Sequence, residues 1–285
     1  MNHRPRRSVL YMPGSKSRAL DKAATLPADA LILDLEDAVS PTEKSAARDL
    51  VCEAVKSRPF GPREVIVRIN GAQTEWGGAD LAAAADARPD AILLPKVESP
   101  DDIAKARAVA GDIAIWAMME TPRGLLNADA IAAAPGLACM VMGTNDLAKE
   151  LHASHIPGRV PMIASLGLAL LAARAHGLAI IDGVYNAFKD DEGLRVECEQ
   201  GRDMGFDGKT LIHPAQLAVT NEVFGPSPEA LEEARAQIAA FEQTEASGGG
   251  VAVVNGRIVE NLHVENARRL LAEADAIATL EEAAR

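Results

Sequence analysis

The chain reads as an α/β barrel of eight parallel strands followed by a C-terminal hairpin-and-helix extension. Three observations predict this. Eight short apolar runs recur along the first 223 residues, each ends on polar or Gly residues, and helix-like segments separate them. Successive runs begin 22 to 40 residues apart, the spacing of βα units in a (β/α)8, or TIM, barrel. A length of 285 residues suits one such barrel with an appendage. A doubly wound open sheet is the alternative, but it does not require eight polar strand ends to converge.

In order, the runs are SVLYMPG from Ser8, ALILDLED from Ala30, EVIVRIN from Glu64 and AILLPKVES from Ala91. IAIWAMMET from Ile113, ACMVMGTND from Ala138, LAIIDGVYN from Leu178 and GKTLIHP from Gly208 complete the set. Between them, helices are expected over Ser17 to Thr25, from near Thr42, and from Pro100 and Asp101 to Gly111. Beyond Val223 the alternation stops, so residues 1–223 form the barrel and 224–285 a separate arm. That arm has a helix, an SGGG stretch, the run VAVVNGRIVE turning at Asn255-Gly256, and a last amphipathic helix. It reads as a lid or an oligomer arm.

Composition narrows the function. Aromatics are scarce and the apolar fraction is 48%, as for helices packed closely on a parallel sheet. A net charge of −12 with scattered basic residues argues against nucleic acid, while a local Lys/Arg cluster could still hold a small anion. Cys52, Cys139 and Cys198 lie far apart with no CxxC spacing and read as buried thiols of a reducing compartment. The basic start has too short an apolar run for a signal peptide. The stretch from Ile163 to Ala173 is too short to span a bilayer, so no membrane partner and a cytoplasmic location are expected.

Two consecutive runs stop on acids, AIWAMMETPRG at Glu120 and LACMVMGTNDLA at Asp146. Chemistry in a parallel barrel sits at the C-terminal strand ends. Two carboxylates there suit a hard cation such as Mg²⁺, which takes one or two of them and leaves room for substrate and water. The competing reading of each is a helix cap. Arg68, at the mouth of the third run, either grips an anionic substrate group or pairs with Glu36 or Asp37 at the end of the second, and both can hold at once. Lys96 fits a Schiff-base nucleophile or a charge partner, and His213 an acid–base group or a backbone-bonded histidine. Asp182 fits a mouth carboxylate near the metal or a cap. A helix opened by Pro13-Gly14-Ser15 and carrying Lys16, Arg18 and Lys22 has the makings of a phosphate site or of a solvated basic face.

The ordered set RSVLYMPGSKSRALDKA, LDLEDAVSPTEKSAAR, VRIN, LLPKVES, METPRG, GTNDLA and GFDGKTLIHPAQ resembles the citrate lyase β-subunit-like branch of the HpcH/HpaI aldolase superfamily. The resemblance runs from Arg7 to about Ala274. It implies a TIM barrel that binds Mg²⁺, with Mn²⁺ as a substitute, and acts on acyl-CoA or acyl-carrier thioesters. It places the metal ligands at Glu120 and Asp146, the substrate arginine at Arg68, and an acidic pair at Glu36 and Asp37. Tyr11, Lys16 and Lys22 correspond to CoA-contacting residues, Lys16 standing where an Arg is usual, which keeps the charge and loses the bidentate fork. The pyruvate-type members carry Glu-His where this chain has Glu36-Asp37, so their chemistry is disfavoured.

Lyase members carry an Asp in a lid that covers a neighbouring subunit's site; this chain has Ile258-Val259-Glu260. The extra methylene shifts that carboxylate by roughly 1 Å, enough to change the atom it reaches. RSVLY, TEWG, WAMMET, GTNDLAKEL and the lid's VAVV and IVENLH most resemble the branch that hydrolyses (3S)-malyl-CoA. Hydrolysis to malate and CoA, with Glu260 activating water in trans within a trimer or hexamer, is therefore the expectation. C–C cleavage of a malyl- or citramalyl-CoA, or action on a carrier-bound thioester within a larger lyase, is the alternative.

Overall fold

The computed structural model describes residues 4–57 and 59–284. Eight parallel strands close into a barrel in sequence order: β1 (Ser8–Pro13), β2 (Ala30–Asp34), β3 (Glu64–Arg68), β4 (Ala91–Leu94), β5 (Ala114–Met119), β6 (Leu137–Met142), β7 (Ala179–Asp182) and β8 (Gly208–Leu211). Seven lie within their apolar runs, and β6 begins one residue ahead of its run, at Leu137. Closure is made by β1 on β8, with Ser8 opposite Lys209 and Leu10 opposite Leu211, which rules out the open sheet.

The surrounding helices are α1 (Ser17–Ala23), α2 (Lys44–Ser57), α3 (Gly77–Ala87), α4 (Pro100–Ala110), α5 (Pro122–Leu126), α6 (Ala128–Ala132), α7 (Thr144–Glu150), α8 (Ile163–Ala175), α9 (Asp191–Met204) and α10 (Leu217–Phe224). Local chemistry sets their ends. Ser99 and Asp102 form a capping box ahead of Pro100 in α4, and Gly111, at φ 67°, stops that helix. The helix expected from near Thr42 opens as a 3-10 turn over Pro41–Glu43 before α2 begins. Pro157–Ala175 is long and apolar enough to cross a membrane by length and composition alone. Its backbone breaks at Gly158 and Arg159, however, and α8 proper, 13 residues or roughly 20 Å, lies against β6 and β7 as a barrel helix.

Strand periodicity divides the core in two. Val9, Ala30, Ile32, Ile66, Ala91, Leu93, Trp116, Met118, Cys139, Val141 and Ile181 fill the barrel interior. The alternate residues, among them Leu10, Leu31, Leu33, Val67, Ile92, Ile115, Met140 and Ile180, face the helices. At the N-terminal end Arg6 forks onto Glu64, at 2.6 and 2.8 Å, and stacks over Trp116. Cys139 and Cys198 are buried, Cys52 partly so, and all three are free thiols; burial pushes each above its ordinary range.

The chain divides into two compact units, the barrel Arg6–Phe224 and a second that takes in the chain from Gly225 onward. In the latter, α11 (Pro228–Ala246), capped by Ser227, lies along α12 (Asn261–Ala283), and the antiparallel hairpin β9 (Ala252–Val254) and β10 (Arg257–Val259) joins them. Phe241, Ala252, Val259 and Val264 make its small core. Asn255 and Gly256, at φ 52° and 74°, turn the hairpin in the left-handed region that the Asn-Gly pair favours.

Candidate active site

The inward parity of the strands delivers the site. On β5 it runs Trp116, Met118, Glu120, so the residue just past the strand points along the barrel axis at the C-terminal mouth. Glu120 is buried, and its Oε1 accepts a 2.7 Å hydrogen bond from the Lys96 amide. It is not a cap: Thr121 caps α5 through its hydroxyl. Burial raises the Glu120 pKa, with the Lys96 charge opposing. Gly143 is the close neighbour that makes room, because a Cβ there would collide with Glu120 Cβ and Oε2.

Asp146 sits four residues beyond β6, in the first turn of α7, rather than on the strand end that its apolar run suggested. It is half-buried and its Oδ2 lies 2.5 Å from Lys96 Nζ. Lys96 follows β4 with a left-handed backbone, φ 49°, and its Nζ also comes within 3.8 Å of Glu36 Oε1. Lys96 is therefore a charge partner, bonded to Asp146 and close to Glu36. Burial pulls its pKa down, but the Asp146 bond and the Glu120, Glu36 and Asp146 charges together raise it, against the neutral amine a Schiff base needs.

Arg68 ends β3 directly opposite Asp34, the last residue of β2. Its main partner is Asp34, through a fork of two 2.7 Å bonds, Nε to Oδ1 and Nη2 to Oδ2. Nη1 approaches Glu36 Oε2 at 2.8 Å and Asp37 Oδ2 at 3.3 Å, so the expected pairing exists in addition. Asp34 was absent from the sequence reading; its signal was the shared inward parity of Asp34 and Arg68. Tyr11, inward on β1, lies beneath the guanidinium with 4.8 Å from Cζ to ring centroid, and its hydroxyl reaches Met118 Sδ. Burial pushes Glu36 up to about 7 against the pull of Arg68. The Glu36 loop is pinned from behind, where Lys44 Nζ donates to the Leu35 and Glu36 carbonyls at 2.8 and 2.7 Å.

Most of these residues border one cavity of about 340 Å³, lined by Tyr11, Asp34, Asp37, Arg68, Met118, Glu120, Gly143, Thr144, Asn145 and Asp146, with Val184 and Ile212 also in its wall. Asn145 and Asn186 exchange amide hydrogen bonds at its rim, a pair the sequence reading also missed. Among the described residues no group of three or more His, Cys, Asp or Glu side chains is arranged for a metal. Two carboxylates, supplying hard oxygen donors beside an open cavity, still fit Mg²⁺, which keeps waters and substrate oxygens in its other positions.

Other candidates fall elsewhere. Lys16 is exposed, caps nothing with its side chain and faces Glu43 at 3.9 Å, while Lys22 lies in the last turn of α1; neither lines the cavity, whereas Tyr11 does. Asp182 is not a mouth carboxylate. Ile181 takes the inward position on β7, so Asp182 faces outward, fully buried against α9. There it accepts from Arg159 at 2.7 Å and Lys209 at 3.1 Å, and Glu197 completes the cluster at 2.7 Å from Lys209. Despite burial, those cations hold its pKa down. His213 uses Nδ1 to accept from the Ala215 amide, capping the turn after β8, and its ring meets Phe188. That makes it the backbone-bonded histidine. Glu260 is the N-cap residue of α12, exposed, its amide donating to His263 Nδ1 at 3.0 Å.

A barrel mouth that gathers two carboxylates and a forked arginine offers oxygen donors for a hard cation and a cation for an anionic substrate group. The family model HpcH/HpaI aldolase/citrate lyase matches residues 7–214, and the chain belongs to that family. The chain is 63% identical over 274 residues, 96% of each chain, to a (3S)-malyl-CoA thioesterase of Cereibacter sphaeroides (strain ATCC 17023). It is 33% identical, over 96% of this chain and 95 to 96% of the relatives, to proteins that include an L-malyl-CoA/beta-methylmalyl-CoA lyase of C. sphaeroides (strain ATCC 17025). The crystal structure of CitE from Mycobacterium tuberculosis in complex with magnesium, acetoacetate and coenzyme A superposes with a TM-score of 0.81 at 31% identity, covering 96% of this chain and 100% of that one.

Proposed function

We propose that this chain hydrolyses (3S)-malyl-CoA-like 3-hydroxyacyl-CoA thioesters to the free hydroxy acid and CoA, with a divalent ion, Mg²⁺ or Mn²⁺, held by Glu120 and Asp146. The observation that carries the reading is 63% identity to a (3S)-malyl-CoA thioesterase over 96% of both chains. When bound, the ion polarises the substrate's oxygens as a Lewis acid. Arg68, held rigid by Asp34 and Tyr11, keeps part of its guanidinium directed at the cavity and neutralises a substrate carboxylate. Glu36 and Asp37 orient that arginine.

Lys16 and Lys22 meet the CoA phosphates as mobile point charges, and Tyr11 acts as the platform of Arg68. Residues 224–285 form the lid and oligomer arm of a cytoplasmic homo-oligomer, trimeric or hexameric. Within it Glu260 of one copy activates water at a neighbour's thioester carbonyl. The 33% identical lyase supports a second reading in which the same cavity cleaves the C–C bond to acetyl-CoA and glyoxylate.

Purified protein given (3S)-malyl-CoA and Mg²⁺ should release malate and free CoA in equal amounts. Glyoxylate with stoichiometric acetyl-CoA and no malate rejects hydrolysis in favour of cleavage. A Glu260→Ala variant that hydrolyses at the wild-type rate removes the lid carboxylate from the mechanism.

A further inference from the structure

Lys96 joins both acids of the site by two different bonds. Its amide donates to Glu120 Oε1 at 2.7 Å, and its ammonium lies 2.5 Å from Asp146 Oδ2 and 3.8 Å from Glu36 Oε1. The backbone bond depends on a left-handed conformation, φ 49°, that a non-glycine residue keeps only when its surroundings hold it there. The side chain is differently placed: 43% exposed, on a flexible stem, free to leave toward solvent. Glu36, Glu120 and Asp146 stand around it, and beyond them Asp34 and Asp37 share the mouth with Arg68, the one cation among the described residues that lines the cavity. Arg68 is committed to Asp34 by its fork. Without Lys96 the mouth would carry uncompensated negative charge.

We propose that Lys96 is a built-in counter-cation that occupies Asp146 in the metal-free protein and competes with the divalent ion for it, while its amide keeps Glu120 aimed. The inference rests on Glu120 and Asp146 being the metal ligands. An ammonium cannot ligate a metal, and its bond to Asp146 engages an oxygen that a cation would use. The lysine thus lowers the affinity for the ion and in exchange keeps the empty site folded.

The test is Mg²⁺ titration by calorimetry, with melting in EDTA and in saturating Mg²⁺, on wild type, Lys96→Met, Lys96→Gln and Lys96→Arg. Unbranched replacements leave the amide bond to Glu120 in place. Met and Gln should tighten Mg²⁺ binding about fivefold, the upper end for one partly exposed ion pair, while Arg stays within about twofold of wild type. In EDTA the Met and Gln variants should melt below wild type, and saturating Mg²⁺ should close that gap. Wild-type binding of Mg²⁺ with unchanged or weaker binding by both neutral variants overturns the competition and leaves the metal site standing. Wild type that binds no Mg²⁺ overturns both.

Discussion

Gly143→Ala puts one methyl group against the proposed metal ligand and nothing else of consequence. Gly143 caps α7 with φ −97° and ψ 74°, outside the left-handed region, so alanine meets no φ penalty there. Space is the obstacle: the new Cβ falls inside van der Waals contact of Glu120 Cβ and Oε2, and 3.0 Å from Met118 Cε. Carbon pairs settle near about 3.5 Å, so Glu120 must move by roughly 1 Å, against its bond from the Lys96 amide and the packed barrel interior. Overpacking of this kind costs about 1–3 kcal/mol, a fall in Tm of roughly 2–12 °C for a chain of this size. A ligand displaced by roughly 1 Å should weaken Mg²⁺ binding about tenfold or more. Calorimetric titration and thermal melting check both. Gly78→Ala is the control: nothing lies within 4 Å of its Cβ and it sits in α3, so stability should hold or rise by about 0.4–1 kcal/mol. Should Gly143→Ala bind Mg²⁺ and melt as wild type does, Glu120 is not the confined ligand described above.

Two more outcomes follow from buried charge. Glu36 titrates near 7 in the folded protein because burial outweighs Arg68, against a reference of 4.5. The folded state then binds the extra proton between those values, so its stabilising contribution is full below about pH 4.5 and is lost as pH rises to about 7. Glu36→Gln escapes that loss, and its melting temperature in EDTA should gain on wild type between about pH 5 and 8 by the equivalent of up to ~3 kcal/mol. A gap that stays flat with pH would mean Glu36 titrates ordinarily. Asp182→Asn leaves Arg159 and Lys209 buried with Glu197 as their remaining acid, and denaturant unfolding should register a loss of about 3–5 kcal/mol. Its folded form should bind Mg²⁺ within about twofold of wild type; a larger loss would return Asp182 to the mouth.

Apolar periodicity and turn chemistry made most of the barrel legible. β-rich runs of a few residues separated by capped helices admit few packings, and each of the eight strands formed on its run, β6 starting one residue early. Glu120 was legible for the same reason, since an acid closing an apolar strand on its inward parity has nowhere to point except the mouth. Asp182 shows the limit. It too closes an apolar strand, but one residue out of phase, and a period of two then sends it to the helices. Composition does not reveal that phase; the register of β7 against β6 and β8 does.

The partners were also beyond local reading. Arg68 and Asp34 are 34 residues apart, and only the β2–β3 register sets them face to face. Lys96 meets Asp146 across 50 residues because the turn after β4 and the first turn of α7 come together at one end of the closed barrel, which no propensity encodes. The chain by itself determined which segments are strands, where they end and which charges those ends carry, because these follow from side-chain size, backbone freedom and solubility. Tertiary closure decided which charges face inward and which cation each acid meets, because a buried ion is tolerable only beside its counterpart and that counterpart comes from a distant turn of the barrel.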